Sequence, residues 1–135
     1  MRTHLVPVVR KFAVPTSLAF ALQLLPVVPA MAQDAAKLDP KHYKVEFEND
    51  RVRVLRITYG PHEKSVMHSH PASVAVFLTD SNVQMTMPDG KKTPATAKAG
   101  QVLWEDGIKH LPENLSDKPF ELIQVELKPK HAKTK

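Results

Sequence analysis

The chain is cut into short runs that alternate apolar and polar residues, each ended by a turn signal before a helix could form. Tyr43-Lys44-Val45-Glu46-Phe47-Glu48 alternates strictly, the mark of a strand with one buried face, and Asn49-Asp50 turns it. Residues 51–59 form a second such run, with Val52, Val54 and Arg56 on one face, and Gly60-Pro61 ends it. Residues 65–70 follow, stopped by Pro71-Ala72. Residues 73–79 are almost continuously apolar, which predicts a central strand, and Asp80-Ser81-Asn82 turns the chain again. Residues 83–87 alternate, and Pro88-Asp89-Gly90 is a hairpin signal whose glycine is free to take positive φ. A return strand is expected over residues 92–96, then strands over 101–105, 108–111 and 120–127. Eight or nine short strands, with no helix, predict an all-β sandwich or barrel.

Length allows one domain, placed at residues 43–127, with residues 33–42 as a linker and 128–135 as a basic tail. There is no cysteine, so disulfides, thiolate nucleophiles and thiolate metal sites are all excluded. Residues 33–127 hold twelve Lys or Arg and fourteen Asp or Glu, a net charge of −2. The overall charge of +5 therefore lies in the ends, and the body lacks the basic face that nucleic-acid binding needs.

Residues 1–32 read as a signal peptide. Arg2, Arg10 and Lys11 precede an apolar stretch from Phe12 to Pro29, and Ala30-Met31-Ala32 has the small-x-small pattern of a cleavage site. Pro15, Gln23, Pro26 and Pro29 interrupt that stretch, which argues against a spanning helix of about 20 apolar residues. The expectation is cleavage after Ala32, a periplasmic or secreted protein, and no stable membrane insertion afterwards.

Three histidines carry the chemistry. His68 and His70 lie two residues apart on one expected strand and point the same way, and His110 lies on another. Neutral imidazole is the commonest transition-metal ligand. An H-x-H with a third histidine from a facing strand caps one side of an ion and leaves positions open for water or substrate, as catalytic sites do. An isolated H-x-H reads more simply as hydrogen-bonded histidine.

The surrounding pattern resembles the cupins, single-domain jelly-roll β-barrels. Gly60 followed by His68-Ser69-His70 is similar to their first motif. Gly100, then Gly107-Ile108-Lys109-His110-Leu111-Pro112-Glu113-Asn114, is similar to the second. The resemblance spans about residues 43–127 and implies a divalent metal (Fe, Mn, Ni or Zn) on His68, His70 and His110. It departs at the glutamate that usually completes the ligand set, where Val74 or Ala75 stands. Glu105, Gln84, His62 and Glu63 are candidate replacements. Asn114 and Trp104 are expected to support the structure, the indole packing in or over the barrel, and Met85 and Met87 to line the core. Two functions stay open: a metalloenzyme of oxygenase or isomerase type on a small molecule, or a non-catalytic module of the cell envelope binding a small-molecule ligand. In a third reading the histidines are residual. The resemblance also makes a homodimer plausible, paired through strand edges.

Overall fold

A computed structural model describes residues 33–129. The proposed signal peptide and residues 130–135 of the basic tail lie outside the described residues. One helical turn, α1 (Ala35–Leu38), precedes nine strands: β1 (Tyr43–Glu48), β2 (Val52–Tyr59), β3 (His68–His70), β4 (Ser73–Phe77), β5 (Ser81–Thr86), β6 (Lys92–Ala97), β7 (Val102–Glu105), β8 (Ile108–Asn114) and β9 (Phe120–Leu127). They make two facing antiparallel sheets, β1-β2-β9-β4-β7 and β3-β8-β5-β6. This is the cupin jelly roll, as the motif pattern implied.

Strand alternation decides what fills the space between the sheets. On β2 the inward residues are Leu55, Ile57 and Tyr59, so the face with Val52, Val54 and Arg56 points outward. Phe120 and Leu122 on β9, Ala75 on β4 and Val83 on β5 complete a core that also contains Tyr43. Asn114 supports the structure as expected. Its Nδ2 donates to the Gly60 and Lys118 carbonyls at 2.8 Å each, and its Oδ1 accepts from Ser116 N–H at 3.0 Å. Those bonds hold the β2 exit against the β8–β9 connection.

The sequence reading needs correcting at several points. Residues 33–42 are not a free linker. Asp34 caps α1 by accepting from Ala36 N–H, Ala35 is fully buried, and Asp34 bridges to Ser69 of β3. His42 is buried, with Nδ1 2.6 Å from Asp39 and Nε2 3.0 Å from Glu63, and its ring stacks on Tyr59 at 4.2 Å. Polar residues without apolar periodicity hid this packing, because capping and ion pairs hold it. On β1 only Tyr43 is buried, since that strand lies at a sheet edge. A bulge between Val45 and Phe47 leaves Glu46 without a partner and turns Phe47 to the outer face, opposite Val54. β3 is only three residues long, Ser81 and Asn82 pair within β5 instead of turning, and β8 runs on to Asn114. Trp104 does not pack into the barrel. It alternates with inward Leu103 and Glu105 and so stands outside. Met85 packs against the core from a half-buried position, whereas Met87 follows the last β5 residue.

Leu55→Ala should cost about 2–5 kcal/mol, because a fully buried side chain leaves a cavity. Val45→Ala, on the exposed edge, should change stability by less than about 1 kcal/mol. Urea unfolding of the two variants beside the parent chain checks both figures.

Candidate metal centre

Strand register brings the histidines together. β3 and β8 are antiparallel, and His68 stands directly opposite His110, while His70 faces Ile108. Residues opposite one another share a face, so all three imidazoles enter the barrel, and all three are buried. Ring centroids are 4.8, 5.0 and 5.5 Å apart with interplanar angles of 85°, 83° and 77°, so the ring edges converge. One nitrogen from each lies within 4.8 Å of the others.

Hydrogen bonds orient the rings. Only a protonated nitrogen can bond a carbonyl, so His68 Nδ1–H donates to the Val66 carbonyl at 2.8 Å and Nε2 keeps its lone pair. His70 Nδ1 lies 2.7 Å from Glu126 Oε1 and donates to that carboxylate. Glu126 is itself buried, and its Oε2 takes Arg53 at 2.6 Å; Arg53 reaches on to Asp34 at 2.5 Å. A carboxylate behind a histidine fixes the tautomer and makes the imidazole a better ligand. Glu126 and Arg53 were missed from sequence. They sit 56 and 17 residues from His70, and the only signal was a charged residue at an inward position of a strand.

The donor set fits a divalent transition metal. His68 Nε2 and His110 Nδ1 are buried without a hydrogen-bond partner, a costly state that an ion would relieve. Burial, and repulsion from His70, lower His68 to a pKa of about 4. Burial, and repulsion from His68 and His70, lower His110 to about 3. Both imidazoles are thus neutral at physiological pH, the form that binds metal. Tyr43 packs edge-on to His68 at 4.7 Å, with its hydroxyl 2.6 Å from that of Tyr59. Burial raises both phenols, which stay protonated.

None of the four candidates for a replacement carboxylate or amide joins the cluster. Gln84 alternates with inward Val83 and Met85 and faces away. His62 is exposed, 2.6 Å from Asp117. Glu63 is held by Lys41 at 2.5 Å, Gly60 N–H at 2.8 Å and His42, which together depress its pKa to about 2. Glu105 does turn inward. It lines the same interior cavity as His70 and His110, and burial raises its pKa against the pull of His70. That cavity has a volume of about 80 Å³ and apolar walls that include Ile57, Phe77, Val83, Met85 and Leu103.

No family model and no curated protein matches this chain in sequence. Solved structures do. A cupin domain protein from Bordetella pertussis Tohama I is 25% identical, with a TM-score of 0.60 over 64% of this chain and 92% of that one. An RmlC-like cupin with a double-stranded β-helix fold from Methanocaldococcus jannaschii is 19% identical, with a TM-score of 0.51 over 66% and 83%. The fold is therefore that of the cupin superfamily, and these likenesses support the resemblance carried by the two histidine motifs.

The site sets a pH dependence for the metal-free chain. Unfolded, His68 and His110 titrate near their ordinary value of 6.5; folded, they resist protonation down to about 4 and about 3. The unfolded state therefore binds protons first as pH falls. The contribution of these two histidines should decline below about pH 6.5 and level off near pH 3, below which ion-paired carboxylates such as Glu63 continue the loss. Urea midpoints across that range check this, with a shallower decline expected for His110→Gln.

Glu126→Gln should weaken metal binding about 10–100-fold by removing the carboxylate behind His70. Competition titration against a chromophoric chelator measures that loss.

Proposed function

We propose that this protein is an exported cupin that holds a divalent metal on His68, His70 and His110 and exposes it to a small molecule in the barrel. The observation that carries the reading is the pair of buried, unpartnered nitrogens, His68 Nε2 and His110 Nδ1, in a cluster of neutral imidazoles. Iron, manganese, nickel or zinc suits three imidazoles, with loading decided by the compartment. When bound, the ion supplies Lewis acidity and, if iron, redox chemistry.

The chain's own residues define the ligand. A cavity of about 80 Å³ has room for roughly half a dozen water-sized groups, so the occupant is small. Apolar walls exclude bulk water and select a molecule with an apolar body. Gln124 lines the cavity too, its amide donating to Ser73 Oγ at 3.1 Å, which leaves its carbonyl oxygen as an acceptor. Glu105, with its raised pKa, is suited to take up and return a proton within the cavity. A proton-handling acid beside a metal cluster favours the enzyme reading over the non-catalytic binding module. Export rests on the leader pattern of residues 1–32, and mass spectrometry of the secreted form should find Gln33 at its N-terminus.

Elemental analysis of the untagged protein is the test. The parent chain should carry near-stoichiometric metal, and His68→Ala and His110→Ala should lose it. Metal at a hundredfold excess over Kd should stabilise the parent by about 2.7 kcal/mol and leave both variants unshifted. A parent that binds no metal after refilling would sink the reading. Given metal, Glu105→Gln separates the two functions: an enzyme should keep its metal and lose turnover, whereas a binding module should show no turnover in either form.

A further inference from the structure

β5 brings a sulfur atom to the face of the barrel where the imidazoles meet. It pairs with β8 on the side away from β3, so β8 runs between the strand of His68 and His70 and the strand of Met85. Register sets Met85 opposite Pro112, which is buried on the same inward face of β8 as His110. That makes Met85 and His110 diagonal neighbours. Such pairs have Cβ atoms about 7–8 Å apart or somewhat less, a gap that a long, unbranched and flexible side chain crosses. Met85 also lines the same cavity as His70 and His110, whereas Met87, past the end of β5, does not.

We propose that the Met85 thioether is the fourth donor at this centre, and that the metal it selects is copper, held most tightly in its reduced, cuprous form. The proposal rests on the three-histidine reading above. It fills the ligand position left open where Val74 or Ala75 replaces the usual glutamate.

Donor chemistry carries the choice of ion. Imidazole suits several transition metals, but a thioether is a soft donor that selects copper(I), and harder ions take carboxylate or water instead. Charge points the same way. Three neutral imidazoles and a thioether bring no negative charge to the ion. The buried carboxylate of Glu126 is balanced by Arg53 and acts only through His70. Glu105 lines the cavity but does not join the histidine cluster. The cost of taking an ion out of water rises with the square of its charge, so neutral donors in an apolar site hold a monovalent ion more readily than a divalent one. Apolar walls such as Ile57, Val83 and Leu103 keep water from displacing a weak thioether ligand.

A methionine that only fills the core exchanges for leucine, which conserves its volume. A methionine that binds metal does not, so Met85→Leu is the test. The full chain and this variant are titrated without oxygen, with copper(I) against bathocuproine disulfonate and with zinc(II) against a chromophoric chelator. Met85→Leu should weaken copper(I) binding by about tenfold or more, since even the outer partners of metal ligands are worth about 10–100-fold, and should leave zinc(II) binding unchanged. X-ray absorption at the copper edge should show a sulfur neighbour in the parent and none in the variant. The chain has no cysteine, so that sulfur belongs to a methionine. The Cu(II)/Cu(I) potential, with the electron supplied at an electrode, should fall in the variant, because losing a soft donor destabilises the reduced ion. Circular dichroism and urea unfolding confirm that Met85→Leu is folded.

Copper(I) affinity that survives Met85→Leu overturns the proposal, as does a copper centre with only nitrogen and oxygen neighbours. A sulfur neighbour retained in the variant overturns it in favour of Met87. Equal loss of zinc(II) and copper(I) in a folded Met85→Leu also overturns it, because the residue then shapes the site without binding the ion. A parent that binds zinc(II) but shows no sulfur at copper overturns the thioether ligand and leaves the three-histidine reading standing. A parent that binds neither ion overturns both.

Discussion

Glu126 ties its own sheet to the facing one, which shares no strand pairing with β9. It lies on β9 in the five-stranded sheet, is almost wholly buried, and holds His70 of the opposite sheet with one oxygen and Arg53 of β2 with the other. Arg53 extends the chain of contacts to Asp34 at the start of α1. A buried carboxylate is costly unless every partner is in place, so this network tolerates few alternative arrangements. It orients a metal-facing histidine, ties the two sheets at one end of the barrel, and fastens residues 33–42 across the short edge strand β3.

That edge needed covering. β3 has only three residues, two of which face the barrel, and its outer side would otherwise leave backbone groups unpaired. The parallel bridge from Asp34 to Ser69, with Ser69 Oγ donating to Gln33, closes it. The segment that follows the proposed cleavage site is thus part of the wall around the histidines.

The inner and outer faces of the same strands have separate tasks. Inward positions of β9 carry Phe120, Leu122, Gln124 and Glu126, grading from core packing to chemistry along one strand. Outward positions carry Ile123, Val125 and Leu127, which no residue of the described chain covers fully. Period-two alternation lets one strand serve both, and among the described strands the β1 bulge is the one place where register is broken to move a side chain between faces.

Much of this was legible in the sequence because it is local. Alternation, one continuous apolar run and turn residues marked eight or nine strands, and His68 and His70 had to share a face once their stretch was read as a strand. The pairing of His110 with them came from resemblance, since strand spacing does not say which strands meet. Glu126 and Arg53 were invisible for the same reason: a charged residue within an alternating run reads as solvent-facing until a partner from a distant part of the chain is seen. Trp104 and Phe47 were misjudged because a large apolar side chain suggests the interior, whereas its face depends on parity within the strand and, for Phe47, on one extra residue. Sequence alone determined the elements and the chemical types available to them, because backbone propensity and side-chain chemistry are local. Only the tertiary structure decided which residues converge, which imidazole nitrogens stay free and which apolar face is left open, because register and sheet packing are set by contacts between distant parts of the chain.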